Sequence, residues 1–149
     1  MFFENKIERP VYGMEGWGAW QVMRPWRVTG GLSTQRKRLR LEPGSTDRAG
    51  VRKPDFLSDP GHHWSLRSLV TPAPRHEIDV LVRGVAALTL PVVPAYTAID
   101  ARYGWRALPD LELSVVGQNL LDPRHPEFNA APNRSEFERA VFLQARWFR

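Results

Sequence analysis

TAIDARYGWRALPDLELSVVGQ, from Thr97 to Gln118, alternates its side chains so regularly that both halves read as β-strands. Thr97, Ile99, Ala101, Tyr103 and Trp105 fall on one face, and Ala98, Asp100, Arg102 and Gly104 on the other. Leu108-Pro109-Asp110 makes a turn, after which Leu111, Leu113, Val115 and Gly117 oppose Glu112, Ser114, Val116 and Gln118. One face of this hairpin is apolar and aromatic, and the other is polar.

The same rhythm continues outward. A segment from about Arg9 to Met23 sets Tyr12, Met14, Gly16, Gly18, Trp20 and Val22 against Gly13, Glu15, Trp17, Ala19 and Gln21. Arg24-Pro25 turns it into Trp26, Val28, Gly30, Leu32 and Thr34, alternating with Arg27, Thr29, Gly31 and Ser33. This strand is expected to run on through Arg36-Lys37-Arg38-Leu39-Arg40-Leu41 into an exposed loop from Glu42 to Gly61, rich in Pro, Gly, Ser and Asp. Trp64, Leu66, Ser68 and Val70 begin the next strand, a turn is expected from Thr71 to His76, and Ile78, Val80, Val82, Gly84 and Ala86 follow. A short loop from Leu90 to Ala95 precedes the deciding hairpin, and a longer loop from Asp122 to Glu136 follows it. The closing strand sets Val141, Leu143, Ala145 and Trp147 against Phe142, Gln144 and Arg146. The pattern therefore predicts an all-β chain of about seven antiparallel strands in up-and-down order, with tight turns alternating with longer loops.

Composition does not choose between water and membrane, because 42% hydrophobic and 25% charged residues are ordinary for a globular chain of 149 residues. The sequence contains no uninterrupted apolar run long enough for a membrane helix, and MFFENKIERP lacks the apolar core of a signal peptide. The absence of cysteine excludes disulfides and thiolate metal sites. A net charge of +5, carried mostly by arginine, admits nucleic acid, anionic lipid or an anionic ligand as partner.

Strand length and aromatic placement point to a membrane barrel. Most segments reach about ten residues, enough for a tilted strand to cross the apolar layer. Tyr12, Trp20, Trp26, Trp64, Tyr103, Trp105 and Trp147 sit mainly near segment ends on the apolar face, as interfacial girdles do. Glu15, Arg67, Arg83, Asp100, Arg102, Glu112, Gln118 and Arg146 are expected on the opposite face, with Arg27 and Asp79, which is too much polarity for a sandwich interior but suits a wet lumen. A soluble β-sandwich with one charged face is the competing reading of the same pattern.

Several motifs carry a family resemblance. Val93-Pro94-Ala95-Tyr96-Thr97-Ala98-Ile99-Asp100-Ala101-Arg102 resembles a strand opening of TonB-dependent outer-membrane receptors, and Leu111 to Asp122 followed by His125-Pro126-Glu127-Phe128 is similar to their penultimate strand and its exit. The stretch Glu136 to Phe148 is similar to the closing strand of that family, and Tyr12-Gly13-Met14-Glu15 to the opening of an upstream one. This resemblance implies that residues 1–149 form the C-terminal segment of a transmembrane β-barrel, incomplete at seven strands where large plugged transporters have about 22. It implies a Gram-negative outer membrane, contact with its lipid and lipopolysaccharide, and uptake of a siderophore- or cobalamin-type nutrient by the parent receptor. A plug responding to the TonB system, the rest of the barrel and a signal peptide are all absent from the chain, so a fragment not competent for transport alone is expected. The last residue departs from the family pattern: Arg149 stands in the apolar-face register where an aromatic is usual, and Phe148 comes one place early.

Other sites are weaker. Asn119, Leu120, Leu121, Asp122, Glu127 and Phe128 are expected to shape the strand exit, with Asn and Asp satisfying local backbone groups. Arg36 to Arg40 could bind nucleic acid, but its place at the end of a strand favours a loop-base or lipopolysaccharide-facing cluster. His62-His63 with Asp59 could begin a metal site, although adjacent strand residues face opposite ways. No catalytic constellation and no cofactor motif occurs, so no enzyme, cofactor or metal is expected. The alternative function is a basic soluble β-domain that binds nucleic acid or another anion. A non-functional remnant is a third.

Overall fold

The computed structural model describes residues 7–8, 10–38, 40–41, 43, 59–128 and 134–148. Eleven strands occur in order: β1 (Ile7–Glu8), β2 (Val11–Met23), β3 (Trp26–Lys37), β4 (Arg40–Leu41), β5 (His62–Ala73), β6 (His76–Val85), β7 (Tyr96–Leu108), β8 (Leu111–Gln118), β9 (Arg124–Pro126), β10 (Glu136–Glu138) and β11 (Ala140–Trp147). Seven of them form one antiparallel sheet in the order β11-β8-β7-β6-β5-β3-β2. Each of the seven pairs with the next of the seven along the chain, and the sheet is not closed into a barrel. Two short pairs, β1 with β4 and β9 with β10, stand apart from it.

The register carries each face of the alternation across the whole sheet, since directly paired residues in antiparallel strands share a face. One continuous row runs Trp20, Val28, Ser68, Val80, Ala101, Gly117, Val141, and the next runs Gly18, Gly30, Leu66, Val82, Ile99. Slipping any seam by one residue would bring charges into this apolar surface, so the pattern itself locks the pairing.

All three tight hairpins turn at the same end, at Arg24-Pro25, Pro74-Arg75 and Pro109-Asp110. A register irregularity lies beside each of them, between Gln21 and Met23, Val70 and Ala73, and Arg106 and Leu108. These offsets bend the strands into their turns and increase local twist. Pro74 has the fixed φ suited to the first turn position and Arg75 takes φ 69° at the second, the arrangement of a type II turn.

Three expectations need correction. The turn placed from Thr71 to His76 is only Pro74-Arg75, because Pro72, which has no N–H to offer a ladder, falls inside the irregular stretch and lets β5 continue to Ala73. The second strand does not run unbroken to Leu41: β3 ends at Lys37, and Arg40–Leu41 pairs with Ile7–Glu8. The loop from Asp122 to Glu136 contains β9 and the start of β10, whose antiparallel pairing sets Phe137 opposite His125. Most of the loop from Glu42 to Gly61 lies outside the described residues.

Buried apolar side chains are few among the described residues, namely Leu88, Val93 and Ala98. This sheet has no core of its own, and its stability in a membrane would come from backbone pairing and close packing along each face. Gly84 shows such packing, for the indole of Trp64 lies across it where a Cβ would stand, whereas Gly18 faces open space. Gly84→Ala is therefore expected to displace Trp64 and destabilise the folded sheet by about 1–3 kcal/mol, while Gly18→Ala stays within about 0.5 kcal/mol. Urea titration of both variants folded in detergent micelles measures the difference.

Candidate functional site: a two-faced wall

The seven aromatic residues singled out from the sequence share the apolar face and gather near its two ends. Tyr12 and Trp64 lie toward the long-loop end, opposite Arg36 and Leu32. Trp20, Trp26, Tyr103, Trp105 and Trp147 lie toward the tight turns. From Tyr12 to Trp20 is eight residues, about 27 Å along a strand, which a tilt of about 40° reduces to about 20 Å, near the height of a membrane apolar band. At the turn end the Tyr103 hydroxyl and His76 Nδ1 are 2.7 Å apart, and the His76 ring is nearly parallel to Trp105 at 6.4 Å. Trp26 Nε1 donates to Ser68 Oγ at 3.0 Å. These contacts tie the polar edges of the rings to the sheet and leave their apolar bodies outward. Between the turn-end aromatics and the chain's last strand lies an apolar groove of about 380 Å³, lined by Tyr103, Trp105, Leu113, Val115, Leu143 and Ala145 among others.

The opposite face is held by ion pairs that cross between strands. Arg67 Nε donates to Asp79 Oδ1 at 2.8 Å, and a second bond joins the same two groups. Arg102 donates to Glu77 Oε1 at 2.8 Å and also to Glu112. Arg83 donates to Glu127 at 2.9 Å, with Asp100 3.8 Å from its Nε. Asp100 and Arg102 occupy one row, as the alternation predicts, but each pairs with a neighbouring element and not with the other. Glu15 stands opposite Ser33 and is exposed, Gln118 lies opposite Ala140, and Arg146 lies opposite Glu112. A polar cavity of about 230 Å³ opens at the turn end of this face, with Arg75, Glu77, Gly104, Arg106 and Glu112 in its lining.

At the long-loop end the segment after β8 folds back over the polar face. Asn119 takes φ 51°, a conformation asparagine tolerates, and its backbone N–H donates to Asp100 Oδ1 at 2.9 Å. Its side-chain amide donates to Phe137 O at 2.9 Å. Leu120 N–H reaches Ile99 O at 2.9 Å, and the Leu120 side chain packs on Gly117. Leu121 O accepts from Arg139 at 3.3 Å, Asp122 is exposed, and the Phe128 ring meets Phe137 edge-on at 6.1 Å. Asn119 thus satisfies local backbone while Asp122 lies at the surface.

His125, named from the sequence only as part of the exit motif, is packed where its neighbours Pro123 and Pro126 read as loop. It is 5% exposed, stacked on Tyr96 at 4.3 Å, and its Nε2–H donates to Glu127 at 3.0 Å. The place of Tyr96 in the polar register was the available signal. Burial pushes the Glu127 carboxyl up, but the His125 hydrogen bond and the Arg83 guanidinium outweigh it and hold the group below the usual carboxylate range.

His62 stands opposite Thr34 on the apolar face and His63 opposite Ser33 on the polar one, while Asp59 pairs with Lys37. No cluster of three or more potential metal ligands occurs among the described residues. Arg36 and Lys37 fall on opposite faces, so the basic run is not a single patch, and the side chains of Leu39 and Arg40 lie outside the described residues.

An up-and-down antiparallel sheet with one apolar, aromatic-belted face and one charged face has the pattern of a segment of β-barrel wall. Solved structures agree on that fold. The chain superposes on the ferric-catecholate import receptor Fiu of E. coli in its closed form with a TM-score of 0.72 and 19% identity, over 92% of this chain and 20% of that one. It superposes on the siderophore receptor PiuA of Acinetobacter baumannii with a TM-score of 0.75 and 18% identity, over 94% of this chain and 22% of that one. The open form of Fiu gives a TM-score of 0.64 at 20% identity. The chain thus spans about a fifth of the length of these receptors. No protein-family model matches the sequence, and no curated protein matches it at a significant level.

Two outcomes follow from the charged face. Arg102→Ala strands Glu77 and Glu112 and is expected to cost about 2 kcal/mol, whereas Arg67→Ala, at a side chain 55% exposed, costs less than about 1 kcal/mol; denaturant midpoints in micelles compare them. Because the folded Glu127 carboxyl titrates below its unfolded value, its contribution is complete above that unfolded value and is lost as pH falls through the folded one. Acidification below about pH 4 is therefore expected to reduce amide protection in β9 and β10 before β7, and Glu127→Gln to abolish that step, as read by hydrogen exchange.

Proposed function

We propose that this chain is the C-terminal wall segment of a TonB-dependent outer-membrane receptor that imports a scarce nutrient, contributing seven strands to a larger barrel. The observation that carries the reading is the separation of the two faces across every seam of the sheet, joined to a fold that superposes on one-fifth of two siderophore receptors. In this reading the apolar face meets outer-membrane lipid, and its long-loop end meets lipopolysaccharide. The tight turns face the periplasm and the longer loops face outward, as in other barrels of this kind. The polar face lines the lumen, with Glu15, Arg67, Arg83, Asp100, Arg102, Glu112, Gln118 and Arg146 as its polar residues. A siderophore is the cargo class favoured by the names of Fiu and PiuA.

Transport requires partners for the two sheet edges. In lipid each unpaired backbone group costs several kcal/mol, and roughly half the residues of an edge strand direct their N–H and C=O outward. The remainder of a barrel would satisfy them, and a plug within it would couple uptake to TonB. Alone, the segment would not transport.

Face assignment is open to direct test. In single-tryptophan variants incorporated in vesicles, brominated phospholipid is expected to quench Trp20 strongly and Trp17 weakly. Equal quenching of both would remove the membrane-wall reading. An immunoblot of outer membranes with an antibody to the peptide Ser135 to Arg149 is expected to show a band well above 17.1 kDa, carrying the rest of the barrel.

A further inference from the structure

The groove of about 380 Å³ on the apolar face follows from the register. Leu143, Val115 and Tyr103 form one row across β11, β8 and β7, and Ala145, Leu113 and Trp105 form the next row toward the tight turns. Ala145 stands between Leu143 and Trp147 along β11, so the surface drops where its methyl group replaces a large side chain. The aromatic wall of the groove is held in place from β6. His76 Nδ1 lies 2.7 Å from the Tyr103 hydroxyl, and the His76 ring runs nearly parallel to Trp105.

A guanidinium stands at the same corner. Arg75 immediately precedes His76, is exposed, and accepts the Arg106 N–H at its carbonyl at 2.9 Å, which pins its turn against β7 beside Trp105. Arg75 also borders the polar cavity at this rim, so it sits where the two faces of the sheet meet. Among the described residues no ion pair engages it. Glu77, two residues on, is taken by Arg102. Asp110, in the turn between β7 and β8, is the only carboxylate in the three tight turns, and it opposes an anion at this rim.

We propose that this corner is a site for an anionic phospholipid, with one acyl chain in the groove and the phosphate at Arg75. A molecule that suits both parts must join a long apolar chain to an anion, and a phospholipid does so within one headgroup. Guanidinium binds phosphate oxygens in two-point contacts. A zwitterionic headgroup carries its own cation and gains less from Arg75, whereas an anionic one gains the whole attraction of a basic group at a lipid surface. The inference rests on the wall reading, which sets the apolar face in lipid, and adds to it a preference for one lipid class at one place.

The test uses the full chain with Trp105 as its sole tryptophan, the others replaced by phenylalanine, in phosphatidylcholine vesicles at physiological salt. A minor fraction of either brominated phosphatidylglycerol or brominated phosphatidylcholine is added. Quenching of Trp105 is expected to show a preference of about fivefold for phosphatidylglycerol. Arg75→Gln should bring the two lipids to parity, and Ala145→Phe, which fills the groove, should lower the preference as well. Arg24→Gln should leave it unchanged, because that turn is at least three seams, roughly 14 Å, from β7, beyond the screening length. Native mass spectrometry of the unaltered chain from mixed-lipid micelles, comparing the two lipids retained, reads the same ratio without the tryptophan replacements.

Equal quenching by both lipids overturns the proposal and leaves the wall reading standing, whereas no quenching by either removes both. The proposal is also overturned if Arg24→Gln acts as strongly as Arg75→Gln, since net charge alone would then explain the preference. It fails equally if Ala145→Phe has no effect, or if free glycerol phosphate abolishes the preference, which would make Arg75 a small-anion seat.

Discussion

Everything in this molecule depends on backbone hydrogen bonding between neighbouring strands. Water in a soluble sheet can satisfy an edge, but the interior of a bilayer cannot, so each N–H and C=O at that depth needs a protein partner. Six seams pair the strands between β2 and β11, and among the described residues the two outer edges have no partner strand. The number of strands then constrains how the edges are met. With seven antiparallel strands, β2 and β11 point the same way, so a ring made of copies of this sheet would need a parallel seam. Antiparallel completion instead needs an odd number of further strands, giving the even total usual for such barrels.

The period of two gives each strand two unlike faces. A residue and its neighbour take opposite faces, and the same alternation that puts Trp20 and Val28 on the apolar face puts Arg67 and Asp79 on the charged one. Because register is fixed by this contrast, the irregular positions collect where it matters least, beside the tight turns. The long-loop end is finished differently: Asn119 reverses the chain in a left-handed conformation, and His125, Glu127 and Phe137 bring β9 and β10 against Tyr96 and Arg83. The wall is thereby capped from within its own polar face.

Strands long enough to show several repeats were legible from residue order alone, and Thr97 to Gln118 is the clearest case. What was illegible is short or nonlocal. Arg124–Pro126 and Glu136–Glu138 are three residues each, too brief for a period, and prolines around the first suggested only a loop. Alternation placed Arg83, Asp100 and Arg102 on one face, yet their partners were decided by register and by a returning segment. Thus Glu127, assigned to the strand exit by motif, is also the carboxylate that holds Arg83. Trp17 could be placed on a face by counting, but its exposure on that face required the structure.

The distribution of ion pairs decides which charges of the polar face are left to meet a ligand. A charged ligand is held by groups that are left free for it, since a guanidinium already bound by two carboxylates has little net field to offer. Across this sheet Arg67, Arg83 and Arg102 are all engaged by carboxylates of its own strands or of its returning segment. Their pairing stiffens the charged face and leaves little net positive field there. Among the described residues, the guanidiniums left without an ion pair on this face, Arg27, Arg106 and Arg146, gather toward its turn end.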